Sequence, residues 1–323
     1  MNFQNLGKSG AVEGFCLVKA CDKKVTAKGL PYLDMMLADS TGEIVAKFWD
    51  YKEQLHPVFE VNTLVKVRGT ISPYNGVDQL RVEKIRTVVD SDNVKIEDFV
   101  ASSDYSGEMM LDELMGIADN FKDEELKSLV KTILNEYHEK LLYWPAAFRL
   151  HHAMRGGLLY HSLSIVRLAQ SVAKLYPCVN EDLLLAGAMI HDIGKIQEFD
   201  VNATGLASGY TIEGNLIGHL AKGAVIIDET AKKLNISAEK SMLLQHMILS
   251  HHGEPEFGAA VRPMFIEAEL LSELDTLDSK VFEMAKAISE VNTGEFTNRM
   301  WALDNRKLYN HGLNPVEPKA VLK

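Results

Sequence analysis

Two hydrophobic patterns follow one another along the chain. Residues 1–90 contain five short runs rich in β-branched and aromatic residues, each separated from the next by a turn-favouring sequence. Examples of these turns are Ser-Thr-Gly at 40–42 and Pro-Tyr-Asn-Gly at 73–76. Five short strands in so few residues predict a small all-β barrel. An OB-fold is the first candidate, and a fragment of a β-sandwich is the alternative.

From residue 108 onwards, the apolar positions recur with the spacing of helices. Seven apolar segments follow, and most of them begin after Ser, Asp or Asn or end at Gly or Pro, as helices do. The sequence therefore predicts a multidomain protein in which the barrel precedes an all-α domain at residues 108–310. The polar stretch at 91–107 is predicted to be a linker, and residues 311–323 a loose tail.

The composition agrees with two folded domains. The chain has 323 residues, of which 46% are hydrophobic, and this is enough for real cores. A net charge of −11 would argue against a polyanionic partner. However, residues 1–90 carry 12 Lys and Arg against 11 Asp and Glu, a net charge of +1. The acidity lies in the helical part, so the barrel can still bind nucleic acid through a local groove.

The sequence favours a cytoplasmic location and no membrane partner. No run of about 18 apolar residues occurs, and the N-terminus lacks the basic-then-apolar layout of a signal peptide. Cys16, Cys21 and Cys178 lack metal-binding spacing and are predicted to be reduced thiols. The oligomeric state stays open, with a homo-oligomer as one candidate.

Histidines and acidic residues recur at the ends and inward faces of the predicted helices. Nine of the eleven histidines lie between residues 138 and 252. Buried imidazoles and carboxylates need partners, because their transfer out of water is costly, and a shared metal ion satisfies several of them at once. His nitrogens mixed with Asp oxygens suit Mn²⁺, Fe²⁺, Co²⁺, Ni²⁺ or Zn²⁺ better than Ca²⁺. The candidate residues are His161, His191, Asp192, His219, His251, His252 and Asp275, with His151 and His152 as candidates for the border of the site.

His191 and Asp192 are the central pair of this set. They follow the apolar residues 186–190, at the predicted end of a helix. Neighbouring residues inside a helix point about 100° apart, so the two side chains reach one centre best from a helix end. Gly194 is predicted to take the left-handed conformation just beyond the helix, and Lys195 follows it.

The sequence order H…HD…H…HH…D within an all-helical domain resembles the HD-domain metal-dependent phosphohydrolases. More specifically, the stretches "WPAAFRLHHAMRGGLLYHSLSI", "HDIGKIQEF", "GHLAKG", "SHHGEPEFG" and "EAELLSELDTLDSK" resemble the YhaM-type 3′–5′ exoribonucleases, which join an N-terminal OB domain to an HD domain. The resemblance covers nearly the whole chain in the family's order. It implies an enzyme that degrades single-stranded RNA from the 3′ end and releases nucleoside 5′-monophosphates by attack of a metal-activated water. Single-stranded DNA is a second candidate substrate.

The same resemblance implies roles for the candidate residues. Two divalent ions are expected, with Mn²⁺ favoured. His161, His191, Asp192 and Asp275 would hold one ion, and Asp192 would bridge to a second ion held by His219 and His251. His252 would ligate or contact substrate, and Lys195 would neutralise the phosphate. Some HD families carry Gly-Tyr-Pro after the paired histidines, whereas this chain has "GEPEFG", which counts against a cyclic-dinucleotide substrate.

The barrel supplies candidate residues for binding a single strand. Bases stack on aromatic rings and phosphates pair with basic side chains on such barrels. The candidate stacking residues are Tyr32, Phe48, Trp49 and Tyr74, and the candidate phosphate contacts are Lys47, Lys66, Arg68 and Arg81. Because neighbours on a strand face opposite sides, only one of Phe48 and Trp49 is expected on the binding face.

Two other functions fit the same features. The first is hydrolysis of a small nucleotide, such as a dNTP or an alarmone, with the barrel serving regulation or assembly. The second is a nucleic-acid-binding module whose HD domain is a catalytically idle scaffold. Turnover of free nucleotides without RNA trimming would favour the first, and RNA binding with bound metal but no hydrolysis would favour the second.

Overall fold

The computed structural model describes residues 10–39, 42–74, 76–148, 152–202 and 204–322. The chain divides into two compact units. One consists of Met1–Ser102 with Val201–Ser208, and the other of Ser103–Asp200 with Gly209–Lys323. The division between residues 102 and 103 falls inside the stretch predicted to be a linker. Ser40, Thr41 and Asn75, from the two predicted turns, lie outside the described residues.

The first unit is a closed five-stranded barrel. Its strands are β1 (Gly10–Val25), β2 (Pro31–Asp39), β3 (Gly42–Phe48), β4 (Leu64–Tyr74) and β5 (Val77–Thr87). They close in the order β1-β2-β3-β5-β4, with β3 and β5 parallel and the other pairs antiparallel. The predicted OB-fold is therefore confirmed, and the β-sandwich alternative is wrong.

Alternation of side chains along the strands creates the barrel core. On β2, Leu33, Met35 and Leu37 are buried, whereas the residues between them are only partly buried. This period of two is that of a pleated strand with one face inside the barrel. The same alternation places Phe48 in the core cluster and Trp49 on the surface.

The second unit is mainly helical. Its helices are α1 (Gly107–Asp119), α2 (Glu124–Glu136), α3 (His138–Leu141), α4 (Gly157–Leu175), α5 (Glu181–Ile190), α6 (Lys195–Glu198), α7 (Ile212–Leu216), α8 (Gly218–Leu234), α9 (Ala238–Ser250) and α10 (Ile266–Ser289). Side-chain caps fix several helix starts. Asp123 accepts from the backbone N–H groups at the start of α2, and Asn180 does the same for α5. Such caps satisfy N–H groups that have no partner within the helix.

The structure departs from the predicted all-helical domain in two places. A short hairpin of β6 (Phe199–Val201) and β7 (Ala207–Tyr210) follows α6. After α10 ends at Ser289, residues 290–310 contain two isolated β-bridges and one 3₁₀ turn rather than a helix.

The predicted loose tail is wrong for its last residues. Leu322 is 1% exposed, and its backbone N–H donates to the Tyr105 hydroxyl at 3.2 Å. The Tyr160 hydroxyl donates to the Ala320 carbonyl oxygen, also at 3.2 Å. The apolar side chain of Leu322 and these bonds hold the segment against the helical unit. The sequence predicted a loose tail because the segment is short and contains proline, and neither feature shows a tertiary contact. Among the described residues, no helix is long and apolar enough to cross a membrane.

Candidate metal centre and nucleic-acid interface

The fold of the helical unit brings the predicted metal ligands together. They are His161 in α4, His191 and Asp192 just beyond α5, His219 near the start of α8, His251 and His252 just beyond α9, and Asp275 in α10. The ends of α5 and α9 meet at the cluster, and each delivers two side chains from the two residues after its last turn. Most of the set is buried: His161, His191 and His251 are each at most 1% exposed.

One group of ligand atoms surrounds His161. Its Nε2 lies 3.0 Å from Asp275 Oδ1 and 3.3 Å from His191 Nε2. His191 Nε2 in turn lies 3.3 Å from Asp192 Oδ2. Ligands about 2.1 Å from a common ion are about 3.0–3.4 Å apart, depending on the coordination geometry. These distances therefore suit a shared divalent ion.

A second group lies on the other side of the Asp192 carboxylate. His219 Nε2 and His251 Nε2 are each 3.6 Å from Asp192 Oδ1, and His219 Nε2 is 3.4 Å from His252 Nε2. The two oxygens of Asp192 thus face different sets of imidazoles. Such a carboxylate can bridge two ions.

The orientation of the imidazoles favours metal binding. His191, His251 and His252 each have Nδ1 within 3.0 Å of a backbone carbonyl oxygen, so Nδ1 carries the proton and donates it outwards. His161 Nδ1 and His219 Nδ1 contact carboxylates instead, at 2.8 and 3.0 Å. All five Nε2 atoms therefore face the cluster, and they are the atoms through which the rings would bind a cation, as in ligating histidines. His219 Nε2 and His252 Nε2 lie 3.4 Å apart, a separation that suits a cation between them.

Asp192 gives the clearest sign that an ion belongs here. The residue is 2% exposed, and its Oδ1 has no hydrogen-bond partner among the described residues. A buried carboxylate oxygen without a partner is costly. An ion between Oδ1, His219 and His251 would satisfy it, so the residues present fit a divalent metal.

The pKa values of two ligands suit this interpretation. Burial raises the pKa of Asp192, but the charges of Lys195 and His191 outweigh burial and hold the pKa well below its ordinary value. Burial, together with His251 and His219, lowers the pKa of His252 to about 3. The carboxylate is therefore ionised and this imidazole neutral at physiological pH, which are the forms that bind metal.

His161 differs from the other histidines. Burial lowers its pKa, but the carboxylates of Asp275 and Asp278 outweigh burial and raise the pKa to about 10. A metal ion at Nε2 must displace a proton from this ring, so metal binding is expected to release protons.

Gly194 does not have the predicted left-handed conformation. Its φ of −61° and ψ of −21° lie in the right-handed helical region. A Cβ at this position would lie 2.1 Å from the carbonyl oxygen of His219 and 2.8 Å from the backbone nitrogen of Gly223. Glycine is needed because the backbone just before α6 touches that of α8, and this contact holds His219 beside Asp192.

Lys195 lies beside the predicted ligands but is already paired. The residue is 8% exposed, and its ammonium donates to Asp192 Oδ2 at 2.6 Å. Its backbone carbonyl accepts from the Trp144 indole at 2.9 Å. The structure therefore places the Lys195 charge on the Asp192 carboxylate.

Sequence reasoning missed the acidic residues behind the ligands. Asp278 Oδ2 lies 2.8 Å from both His161 Nδ1 and His152 Nε2, and its other oxygen accepts from the Ser164 hydroxyl. Glu198 accepts from the backbone N–H of His219 and contacts its Nδ1. Asp278 follows Asp275 by three residues on one helix face, which is a signal that the sequence does contain. His152 borders the cluster as predicted, whereas His151 lies outside the described residues.

The barrel groups four of the predicted nucleic-acid residues on one outer face. Tyr32 and Trp49 stack with ring centroids 4.5 Å apart. Lys47 Nζ lies 5.8 Å from the Tyr32 ring centroid, and Lys47 is the register partner of Arg81. Trp49 is 43% exposed, so this face offers an aromatic surface next to Arg81 and to Lys47, which is paired with Asp34.

The other four predicted barrel residues lie elsewhere. Phe48 is 2% exposed, which corrects its inclusion in the binding set: its side chain packs inside the barrel because it alternates with Lys47 and Trp49. Tyr74 is 63% exposed at the end of β4. Lys66 and Arg68 point outwards from β4 and line a separate cavity between β4 and β5.

The chain resembles known proteins over most of its length. Residues 158–280 match the family model of the HD domain. The 3′–5′ exoribonuclease YhaM of Bacillus licheniformis is 39% identical over 298 residues, which cover 92% of this chain and 94% of that protein. The protein of the same name from Bacillus subtilis strain 168 is 36% identical over the same shares of the two chains. A solved replication protein A heterotrimer bound to ssDNA aligns with 26% of this chain and 62% of its own at 21% identity, but a TM-score of 0.21 supports no argument.

Proposed function

This chain belongs to the family of YhaM 3′–5′ exoribonucleases, and we propose how its metal centre hydrolyses single-stranded RNA from the 3′ end. The observation that carries the proposal is the convergence of five imidazole Nε2 atoms and two carboxylates, with Asp192 Oδ1 lacking any other partner among the described residues. The HD domain makes the chain a metal-dependent hydrolase.

We assign the ligands to two ions. The first would be held by His161, His191 and Asp275 with Asp192 Oδ2, and the second by His219, His251 and His252 with Asp192 Oδ1. Mn²⁺ is the ion we propose for both positions, because mixed imidazole and carboxylate ligands suit it and the family resemblance favours it. Divalent ions at such a centre would neutralise charge on a phosphodiester and lower the pKa of a water towards neutrality.

The chain's own residues prepare the centre for this chemistry. Lys195 donates to Asp192 Oδ2 at 2.6 Å, so it keeps the bridging carboxylate ionised and in place. We propose that Lys195 acts on the phosphate through this carboxylate rather than by direct contact. Asp278 and Glu198 fix the ring orientation of His161 and His219 from behind.

The barrel provides a place for a strand longer than one nucleotide. The Tyr32–Trp49 stack would hold a base, while Lys47 and Arg81 on the same face would contact phosphates. Stacking and phosphate contacts carry little base information, so we propose weak sequence preference. Single-stranded DNA is proposed as a second substrate, since none of these contacts requires a 2′-hydroxyl.

The two other functions considered from the sequence are less well supported. Hydrolysis of small nucleotides is not favoured. The relatives that align with 92% of this chain, and so with both the barrel and the HD domain, are named exoribonucleases. An idle HD domain would not need an intact set of converging ligands.

The proposal is tested with 5′-labelled single-stranded RNA and Mn²⁺. The parent protein should produce a ladder of shortened labelled products and release nucleoside 5′-monophosphates, and a chelator should stop the reaction. Asp192→Asn should abolish the ladder. Asp112→Asn, which changes an exposed acid in α1, is the matched control and should leave the ladder intact. Full activity of Asp192→Asn, or turnover of free nucleotides alone, would overturn the proposal.

A further inference from the structure

A charged cavity on the barrel lies apart from the aromatic face. Its volume is about 480 Å³, and it opens between β4 and β5 and the start of β1. We call it the β4–β5 groove. The charged side chains that line it are Lys66, Arg68, Lys84, Arg86, Glu13 and Glu83. Four cations thus face two acids in a space large enough for a short length of an extended ligand.

The strand register sets these cations against one another. Lys66 is the register partner of Arg86, and Arg68 is the register partner of Lys84. Like charges directly opposite each other on neighbouring strands are destabilising. The barrel therefore keeps two successive repulsive pairs, spaced two residues apart along β4. That spacing corresponds to about 6.6 Å and suits successive phosphates of an extended strand.

An irregularity in the sheet keeps the groove cationic. The register of β4 and β5 shifts between Arg68 and Gly69, which leaves Glu83 without a register partner on β4. Because of this bulge, Glu83 and Lys84 are both exposed, although neighbours on a regular strand face opposite sides. Without the extra residue, Lys84 would point towards the core.

The acids in the groove neutralise the cations only in part. Glu13 lies 3.4 Å from Lys66 Nζ, and Glu83 lies 3.8 Å from Arg68 Nε, so both pairs are long and exposed. Such pairs contribute about 0–1 kcal/mol and can exchange for another anion. In the part of the barrel that the structure describes, Lys84 has no ion-pair partner. Arg86 is held firmly by Asp92, with both bonds at 2.7 Å.

We propose that the β4–β5 groove is a second binding site for the sugar-phosphate backbone of RNA, contacted by Lys66, Arg68 and Lys84 and bordered by Arg86. It rests on the proposed function, since it supposes that RNA is the ligand. The site differs from the Tyr32–Trp49 face because its lining contains no Tyr, Trp or Phe, and its one ring, the half-buried imidazole of His56, packs against Phe48. It would therefore contribute affinity through charge, without base stacking.

The test measures the salt dependence of RNA binding. The parent for this test is the Asp192→Asn protein, which should bind RNA without cleaving it. The groove variant carries Arg68→Gln and Lys84→Gln in addition. Both proteins are titrated with a labelled 20-nucleotide single-stranded RNA at several salt concentrations. Each phosphate contact contributes about 0.7 to the slope of log K against log salt, so losing two should reduce the slope by about 1.4. The ratio of the variant's Kd to the parent's should then fall about sevenfold between about 50 and 200 mM salt.

Lys19→Gln and Lys95→Gln together are the matched control, because they remove two exposed positive charges of the same unit outside the groove. An unchanged slope in the groove variant, or an equal change in the control, overturns the proposal. Glu13→Gln tests the same site in the opposite direction and should tighten binding, because it frees Lys66. If the unmutated protein trims RNA while the groove variant and the control have the same salt slope in the Asp192→Asn background, the groove proposal fails and the proposed function stands. If the unmutated protein never trims RNA, the proposed function fails.

Discussion

Replacing Gly194 by alanine tests how the backbone positions the metal centre. The added Cβ would lie 2.1 Å from the His219 carbonyl oxygen and 2.9 Å from its carbonyl carbon. Favourable contacts between such atoms begin near 3.5 Å, so the start of α8 must move by about 1 Å or more. A backbone atom cannot rotate away as a side chain can. His219 would therefore move relative to Asp192, whose Oδ1 now lies 3.6 Å from its Nε2.

Two quantities follow from this displacement. Overpacking of this kind costs about 1–3 kcal/mol, and about 1 kcal/mol lowers the melting temperature of a domain of this size by about 2–4 °C. The Gly194→Ala protein should therefore melt about 2–12 °C below the parent, and elemental analysis should find less bound metal per chain. Gly116→Ala is the matched control: a Cβ there meets no atom within 4 Å, so alanine in this helix should be neutral or stabilising.

Comparing the stability of Gly194→Asn with that of Gly194→Ala distinguishes two reasons for a glycine at this position. One is the close backbone contact seen in the structure, and the other is the left-handed conformation predicted from the sequence. Asparagine is tolerated at left-handed positions better than alanine. If the backbone contact decides, Gly194→Asn should be at least as destabilising as Gly194→Ala, because its side chain is larger. A Gly194→Ala protein with the parent's melting temperature and metal content, or an asparagine variant more stable than the alanine one, would refute this reasoning.

Three further predictions concern residues away from that contact. Asp278→Asn should weaken metal binding about 10- to 100-fold without unfolding the protein, because His161 loses the carboxylate that orients its ring. A chelator competition measures this, and equal chelator resistance of variant and parent would contradict it. Burial raises the pKa of Cys16 to about 12, so a thiol reagent at pH 8 should modify the exposed Cys178 well before Cys16 in the folded protein, as peptide mapping would show. Lys240 forms ion pairs with Asp123 and Glu125 and lowers the pKa of both carboxyl groups. The stability that these pairs add is present above the ordinary carboxyl pKa values near 4 and is lost as the pH falls below the lowered values. The melting temperatures of Lys240→Gln and the parent should therefore converge in acid.

The sequence predicted which histidines and acids converge, because several of them lie at helix ends. His191 and Asp192 follow an apolar helix, and His251 and His252 follow another, so their positions could be inferred without knowing the packing. The alternation of side chains along a strand likewise required one of Phe48 and Trp49 to pack in the core. Which of the two does so depends on the strand register in the folded barrel, which the sequence does not show.

The parts that the sequence did not predict depend on tertiary contacts. Asp278 and Glu198 act through histidines 117 and 21 residues away, respectively. A glycine just beyond a helix predicts a left-handed conformation, but a close backbone contact also requires glycine. The sequence does not distinguish the two reasons, and at Gly194 the contact is the one that applies. The hairpin after α6 was missed because strands of three and four residues are too short to show a period of two.

The most direct test of the account is the number of ions bound per folded chain. After loading with Mn²⁺ and dialysis, elemental analysis should find two ions per parent chain and two in the Asp112→Asn control. Asp192→Asn should lose both, because its carboxylate faces His191 on one side and His219 and His251 on the other. An Asp192→Asn protein that is folded and retains two ions would contradict the assignment of this carboxylate as the bridge.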